Sequence, residues 1–547
     1  MQGSSRLRAT LLAFVLFGAL AGTAGAQQAP KLDWQPCGDA GAQCATATVP
    51  RDYDSPSKGT LKLAVAKSPA TDTTQPKVGS LFFNFGGPGA AAAIYVEVLG
   101  KDLFPALNER FDIIGMDPRG VGDSQPSIDC HANQETEGFY SEPFQTPEIV
   151  DPPALIRKDR GYIQKCIQNN PGILPYVSTA NVARDMDGLR RAVGDDKLTY
   201  LGFSYGTYLG ATYASLFPHR YRALVLDGPV DATNYANNPS KDLLEQTAGF
   251  ERELGRFLQA CAADQVACSG FGAGANGAPP DPWQALDDLI AAADANPIPA
   301  PNYAPDPRPI KGDDIRGAAF AELYAKFLWG DLAKALADAS HGDGSGIRKM
   351  VDEDWFARNP DGTFDPATDK YFLITAADQT YDHHDLGSYF DLGDLAWGMF
   401  DHFYVNNGYA ELNYGLYPIQ GRDTFKGPFH VPSSSPTILV VDTTYDPATP
   451  YRGGKRLARD LGQTRLLTMK GDNHTAYGGN SVCIDKNVEA YLIDLTVPPP
   501  GTTCNQEVPF TAPEPQATAQ ATGLSKAQIR RLQKLPSLLH ARPLPVG

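Results

Sequence analysis

The chain has 547 residues, 42% of them hydrophobic and 20% charged, which is the balance of a folded globular protein and excludes a disordered or fibrous one. A formal net charge of −16 argues against nucleic acid or an acidic membrane surface as partner and is compatible with a cationic ligand. The length allows more than one domain, or one domain with a large insertion.

Residues 1–26 read as a secretory signal. Arg6 and Arg8 supply the positive start, residues 11–20 the short apolar core, and Ala24-Gly25-Ala26 an A-x-A cleavage site before Gln27. The apolar run is too short to span a bilayer, and no later stretch approaches the roughly twenty apolar residues a span needs. An exported protein without a membrane span is expected. The cysteines agree with that compartment. All eight fall in neighbouring couples: Cys37 and Cys44, Cys130 and Cys166, Cys261 and Cys268, Cys483 and Cys504. Of the roughly 105 possible pairings, the sequential one is simplest. No couple has the close spacing and nearby histidines of a zinc site, so disulfides are expected and no metal.

Residues 61–67 (LKLAVAK) alternate like a half-exposed strand, and 79–84 (GSLFFN) and 111–116 (FDIIGM) read as buried strands. Residues 181–193 have helical spacing, and 223–226 (ALVL) form a further strand. From 231 to 431 the pattern becomes helical. Phe250, Leu254, Phe257, Leu258 and Cys261 recur at helical spacing, Asp281-Pro282 opens a second helix, and residues 315–336 read as a third. The aromatic-rich tract 371–417 has no clear period. Strands return at 437–442 (TILVVD) and 464–469 (TRLLTM), with a closing helix at 487–495. Beyond 508 the chain is a Pro-, Ala- and Thr-rich tail with a short basic helix at 525–535. The expected fold is α/β: a mostly parallel central sheet flanked by helices, built from residues 27–230 and 432–507, with 231–431 inserted as a mainly helical cap. Ligands on such sheets lie outside the carboxyl ends of the strands.

The chemistry concentrates at those ends. A short apolar run at 198–201 leads into Gly202-Phe203-Ser204-Tyr205-Gly206, and residues 207–216 suit a buried helix. Strand, G-x-S-x-G and helix in that order expose a serine on a sharp turn. A chance match is the alternative, since the chain is rich in glycine. Ser204 is the candidate nucleophile, and the Tyr205 N–H points to where an oxyanion would form. Gly86-Gly87-Pro88-Gly89 follows a buried strand, which is the place of the second oxyanion loop, with Gly87 as donor. In an α/β hydrolase the acid and histidine follow the serine, and two late strands deliver Asp446 and His474. His474 would take the serine proton, and Asp446 would fix its tautomer, braced by Thr449. Asp442, at the strand end itself, is the rival acid. The neighbouring His383 and His384 cannot converge on one ion and read as loop. No cofactor is called for.

FNFGGPGA, DPRGVGDS, YLGFSYGTYLG, VLDGPVD, YDPATP and GDNH resemble, in order and spacing, the secreted bacterial tripeptidyl aminopeptidases of the α/β-hydrolase superfamily, which are related to proline iminopeptidase. The resemblance covers about residues 31–507. It implies Ser204, Asp446 and His474 as triad and exopeptidase action on peptides with a free N-terminus. Two departures stand out. Asn84-Phe85 occupy a place where relatives carry histidine or a second proline, and residues 376–378 and 416–418 lack a cysteine pair found in many relatives. An aminopeptidase must also hold the substrate ammonium, so an acidic anchor is expected on the cap. Glu245, Glu251 and Glu253 are candidates by position, although one helix face cannot carry all three. The alternatives are a carboxylesterase or lipase with the same triad, and a non-catalytic binding protein, which would normally have lost a triad member.

Overall fold

The computed structural model describes residues 29–511 except 39, 142–144, 275–277, 360 and 404–408. The signal reading at 1–26, the tail beyond 511 and its basic helix at 525–535 lie outside the described residues. Ten strands form one sheet: β1 Gln35–Cys37, β2 Ala42–Pro50, β3 Thr60–Ser68, β4 Gly79–Asn84, β5 Phe111–Met116, β6 Leu198–Phe203, β7 Tyr221–Asp227, β8 Ile438–Thr443, β9 Thr464–Lys470 and β10 Thr503–Asn505. Their order across the sheet is β1-β2-β3-β5-β4-β6-β7-β8-β9-β10. The pairs joining β1, β2, β3 and β5 are antiparallel, and every pair from β5 to β10 is parallel. The chain leaves β4 for β5 on one side and returns to β6 on the other, so the loops after β4 and β6 flank the point where a doubly wound sheet opens a crevice.

Period-two alternation sends neighbouring strand residues into different cores. Phe82, Ile114, Tyr200, Leu224 and Val440 pack on one face with helices Thr179–Ala192 and Tyr205–Leu216. Phe83, Ile113, Leu201, Val225 and Val441 pack on the other with helices Ala93–Leu99 and Val482–Asp494. The central strands are therefore buried on both sides, which is why they read as continuous apolar runs.

Between β7 and β8 the chain divides its packing. Helices Pro239–Ala263, Pro282–Ala295, Gly312–Glu322 and Trp329–Ser340 share a separate core around Phe250, Phe257 and Trp329. Helices Ala367–Asp378 and Leu412–Leu416 instead place Phe372, Leu373, Ile374 and Tyr414 in the main core. The single helix expected over 315–336 is broken. Gly312–Glu322 ends, Ala325 turns extended at φ −142° and ψ 130°, and helix resumes through Lys326–Leu328 into Trp329–Ser340. Ala325 forms an antiparallel bridge to Asn473, so a tertiary contact overrides the local helix preference. The hairpin strands β1 and β2 and the edge strand β10 are additions to the expected elements.

Disulfides join Cys37–Cys44, Cys130–Cys166, Cys261–Cys268 and Cys483–Cys504, the neighbouring couples. They brace the β1–β2 hairpin, the segment between β5 and β6, the end of helix Pro239–Ala263, and helix Val482–Asp494 against β10. Among the described residues no helix is long and apolar enough to cross a membrane.

Candidate active site

β6 ends at Phe203 and helix Tyr205–Leu216 starts two residues later, leaving Ser204 to make the turn at φ 55° and ψ −127°. A non-glycine residue there carries strain of about 1–3 kcal/mol, held only because the surroundings fix it. The Ser204 N–H donates to the Asp227 carbonyl at 2.9 Å, and Thr207 N and Oγ1 donate to the Ser204 carbonyl at 2.8 and 2.6 Å. Residues 198–214 are all buried except Ser204. The strained turn thus presents one hydroxyl.

The loop after β4 presses directly on this elbow. A Cβ on Gly86 would lie 2.7 Å from the Phe203 carbonyl oxygen and 2.9 Å from the Ser204 Cβ, and one on Gly206 would lie 2.6 Å from the Asn84 carbonyl. Asn84, buried at the strand end, accepts the Gly86 N–H at 3.0 Å and so shapes the loop's start. Gly87 follows at φ 98°. The expected pair of donors, Gly87 and Tyr205, therefore sits on two touching segments, and the Tyr205 N–H belongs to a first helical turn that has no intrahelical acceptor.

Asp446 and His474 come together. His474 Nδ1 lies 3.0 Å from both Asp446 carboxylate oxygens. The carboxylate also accepts the N–H groups of Ala448 at 2.9 Å, Thr449 at 2.7 Å and Thr475 at 3.1 Å. Thr449 thus braces the acid through its backbone, while its hydroxyl lies 3.4 Å from Nδ1. Asp227 links this pair to the serine. Its carbonyl accepts Ser204 N–H, and its carboxylate accepts Ala476 and Tyr477 N–H at 2.9 and 2.8 Å, just beyond His474. The next residue, Gly228, would carry a Cβ 3.3 Å from His474 Cε1. Serine and imidazole flank one turn.

The rival Asp442 is fully buried, and neither of its carboxyl oxygens has a hydrogen-bond partner. Burial, with Asp446 and Asp227 adding to it, pushes that carboxyl well above the usual range. It does not bond His474. In the segment DPRGVGDS, Asp117 accepts Ala92, Ala93 and Asp123 N–H, and buried Arg119 bonds Asp185, so its role is structural. Among the described residues, two clusters could offer metal ligands, Cys37/Cys44/Glu97 and Cys130/Cys166/Asp369, and each has both thiols committed to a disulfide.

The proposed anchor positions are mostly occupied. Glu245 pairs with Arg456, and Glu251 accepts His402 and Phe403 N–H and pairs with the His402 ring. Glu253 is buried without a hydrogen-bond partner and is pushed well up by burial and Asp472. Sequence reasoning missed two other acids. Glu411 is 5% exposed, its Oε2 has no partner, and burial with Asp242 pushes it up to about 8. Asp242, half-buried, is likewise pushed up to about 8 by burial, Asp231 and Glu245, against Arg456 and Lys241. Both act on the phenol of Tyr371, a neighbour of Tyr324, whose ring meets His474 edge-on at 5.6 Å. No sequence signal marked Glu411, which lies in the tract without a period.

A mostly parallel sheet with a strained serine between strand and helix defines the class, an α/β hydrolase. Residues 80–269 match the family model described as alpha/beta hydrolase fold, and 418–504 match the one described as TAP-like protein. The chain is 32% identical over 494 residues to the serine protease Hip1 of Mycobacterium tuberculosis, covering 87% of this chain and 92% of that one. It is 31% identical over 498 residues to carboxylesterase B of the same organism, covering 87% and 90%. With the tripeptidyl aminopeptidase of Streptomyces lividans it shares 30% over 518 residues, 88% of each chain. The chain belongs to the tripeptidyl aminopeptidase-like serine peptidases of the α/β-hydrolase superfamily.

Proposed function

We propose that this serine peptidase is exported and releases short peptides, tripeptides in the main, from free N-termini through an acyl-enzyme on Ser204. His474 takes the Ser204 proton as Oγ attacks the scissile carbonyl, and Asp446 holds the imidazole tautomer and stabilises the imidazolium. The N–H groups of Gly87 and Tyr205 receive the oxyanion. His474 then protonates the leaving amine, and water repeats the sequence to free the acyl group. The segment 231–431 acts as the cap over the strand ends, supported by the Tyr324–His474 contact. Disulfides between all eight cysteines support an oxidising compartment.

The observation that carries the exopeptidase reading is Glu411, a buried carboxyl with an unpartnered oxygen and a second acid, Asp242, beside it. An ammonium removed from water needs a carboxylate. A substrate amine draws these acids into their ionised form, and the distance from them to Ser204 sets how many residues leave together. The test compares a tripeptidyl chromogenic amide with its N-acetylated twin. Acetylation is expected to lower kcat/KM by about 100-fold or more, because a buried acid is left unpaired. Equal values would favour the carboxylesterase reading, which shares the triad, needs no anchor and draws support from the 31% identity to carboxylesterase B.

A further inference from the structure

The loops that carry Asp446 and His474 are held from outside the sheet. Helix Pro239–Ala263 brings Arg256 between them. Its Nε donates to the Asp472 carboxylate, two residues before His474. Its Cζ lies 3.6 Å from the ring centroid of Tyr445, one residue before Asp446. One turn earlier, Arg252 donates from Nη2 to the Asp446 carbonyl at 3.2 Å. The other Asp472 oxygen accepts Lys326 Nζ at 3.1 Å, and the Lys326 N–H donates to Asn473 Oδ1 at 3.0 Å. His474 N–H itself donates to the Tyr324 carbonyl at 2.8 Å. The break in the helix expected over 315–336 is therefore the site where the insertion grips the histidine loop.

The two sides of His474 are gripped differently. Residues after it are fixed by Asp227 of the sheet; before it, the Asp472 backbone is held by Gln506 and the Asp472 side chain by Arg256 and Lys326 of the insertion. Asp472 is 6% exposed at its side chain and acts on a further buried carboxyl, Glu253. Such a carboxylate stays in place only with cations on it, because removing one partner leaves charge uncompensated. Arg256 serves this purpose better than a lysine, since one planar guanidinium hydrogen-bonds the acid and stacks on the ring at once. Arg256 thus touches both loops with a single side chain that reaches them from the insertion.

We propose that Arg256 is a positioning residue for hydrolysis: by binding Asp472 and stacking on Tyr445 it fixes the spacing between Asp446 and His474. The inference rests on the triad assigned above. It touches no reacting atom, so its loss disturbs the transition state without weakening substrate binding.

The test uses the full-length protein and the tripeptidyl amide. In Arg256→Met, kcat is expected to fall about 30- to 100-fold, the cost of a misplacement near 1 Å. KM should stay within about twofold, the pattern of an interaction used only in the transition state. Arg256→Lys, which keeps the charge but not the fork, should lose about tenfold, and it carries the test if the methionine variant does not fold. The low-field proton resonance of the His474–Asp446 hydrogen bond should broaden or move upfield in step with kcat. An unchanged kcat and resonance in both variants, with His474→Ala inactive, would overturn the inference and leave the triad standing. Near wild-type turnover in His474→Ala would instead remove the triad, and the inference with it. A fall in KM-dependent binding alone, with kcat kept, would also count against it.

Discussion

The two halves of the candidate site are built in different ways. Ser204 is fixed locally: strand β6, helix Tyr205–Leu216 and the close approach of Gly86 leave its backbone one conformation. His474 and Asp446 lie on loops that reach their places through contacts with distant segments, Asp227 on the sheet and Tyr324, Lys326 and Arg256 in the insertion. The position of Ser204 is thus a property of the hydrolase core, whereas that of His474 depends on the inserted helices as well.

The largest effect should come from the local half. Ser204→Ala is expected to cut hydrolysis at least about 10,000-fold with the fold intact, since triad members act as a unit. Near wild-type turnover would move the site elsewhere. On the other half, two aspartates four residues apart should separate cleanly. Asp446→Asn should lose about 1,000- to 10,000-fold, because the amide leaves the imidazole in the wrong tautomer. Asp442→Asn should change kcat by about threefold or less, since its carboxyl makes no hydrogen bond to His474 and the amide has the same shape. A reversal of the two would make Asp442 the acid.

A smaller and more selective effect is expected at the proposed amine anchor. Glu411→Gln should lower kcat/KM for free tripeptidyl amides by about 10- to 100-fold and leave N-acetylated ones unchanged, the cost of an ammonium without its carboxylate. With Glu411 and Asp242 both pushed up to about 8, the wild-type affinity for the free amine should rise as pH increases towards 8, and binding should release a proton. A flat profile in Glu411→Gln would tie the effect to that residue.

The smallest effect concerns the stability of the insertion. Burial alone would lower the His402 pKa, but Glu251 and Asp287, bonded to its two nitrogens at 3.2 and 3.1 Å, raise it overall. A raised folded-state value stabilises below the ordinary histidine range and is lost as pH rises through the folded value. His402→Gln should therefore lower the melting temperature more at about pH 5.5 to 6 than at about pH 9, because the charge-dependent part of the stabilisation is lost as pH rises through the folded value. The same loss at both values would mean that His402 acts by packing alone.

The comparison also explains what the sequence made legible. The elbow could be read because GFSYG, the run before it and the small residues after it are all local, and both faces of the central strands are buried. His474 could be found as the histidine on a glycine-bearing turn after a late strand. The break at Tyr324–Lys326 could not, since AELYAKFLW holds no glycine or proline and the interruption comes from Asn473, far along the chain. Nor could Glu411, whose neighbour Asp242 sits on another helix before it. Strand β2 was hidden by its small and polar residues, AQCATATVP, which take strand form by pairing with β3.

The most direct measurement of the central claim is a time course of digestion of one defined polypeptide with a free N-terminus, its products read by mass spectrometry. The account predicts successive tripeptides leaving from the N-terminus, with the shortened remainder as the only other species and no cleavage after N-acetylation. Internal fragments appearing early, or equal digestion of the acetylated chain, would contradict it.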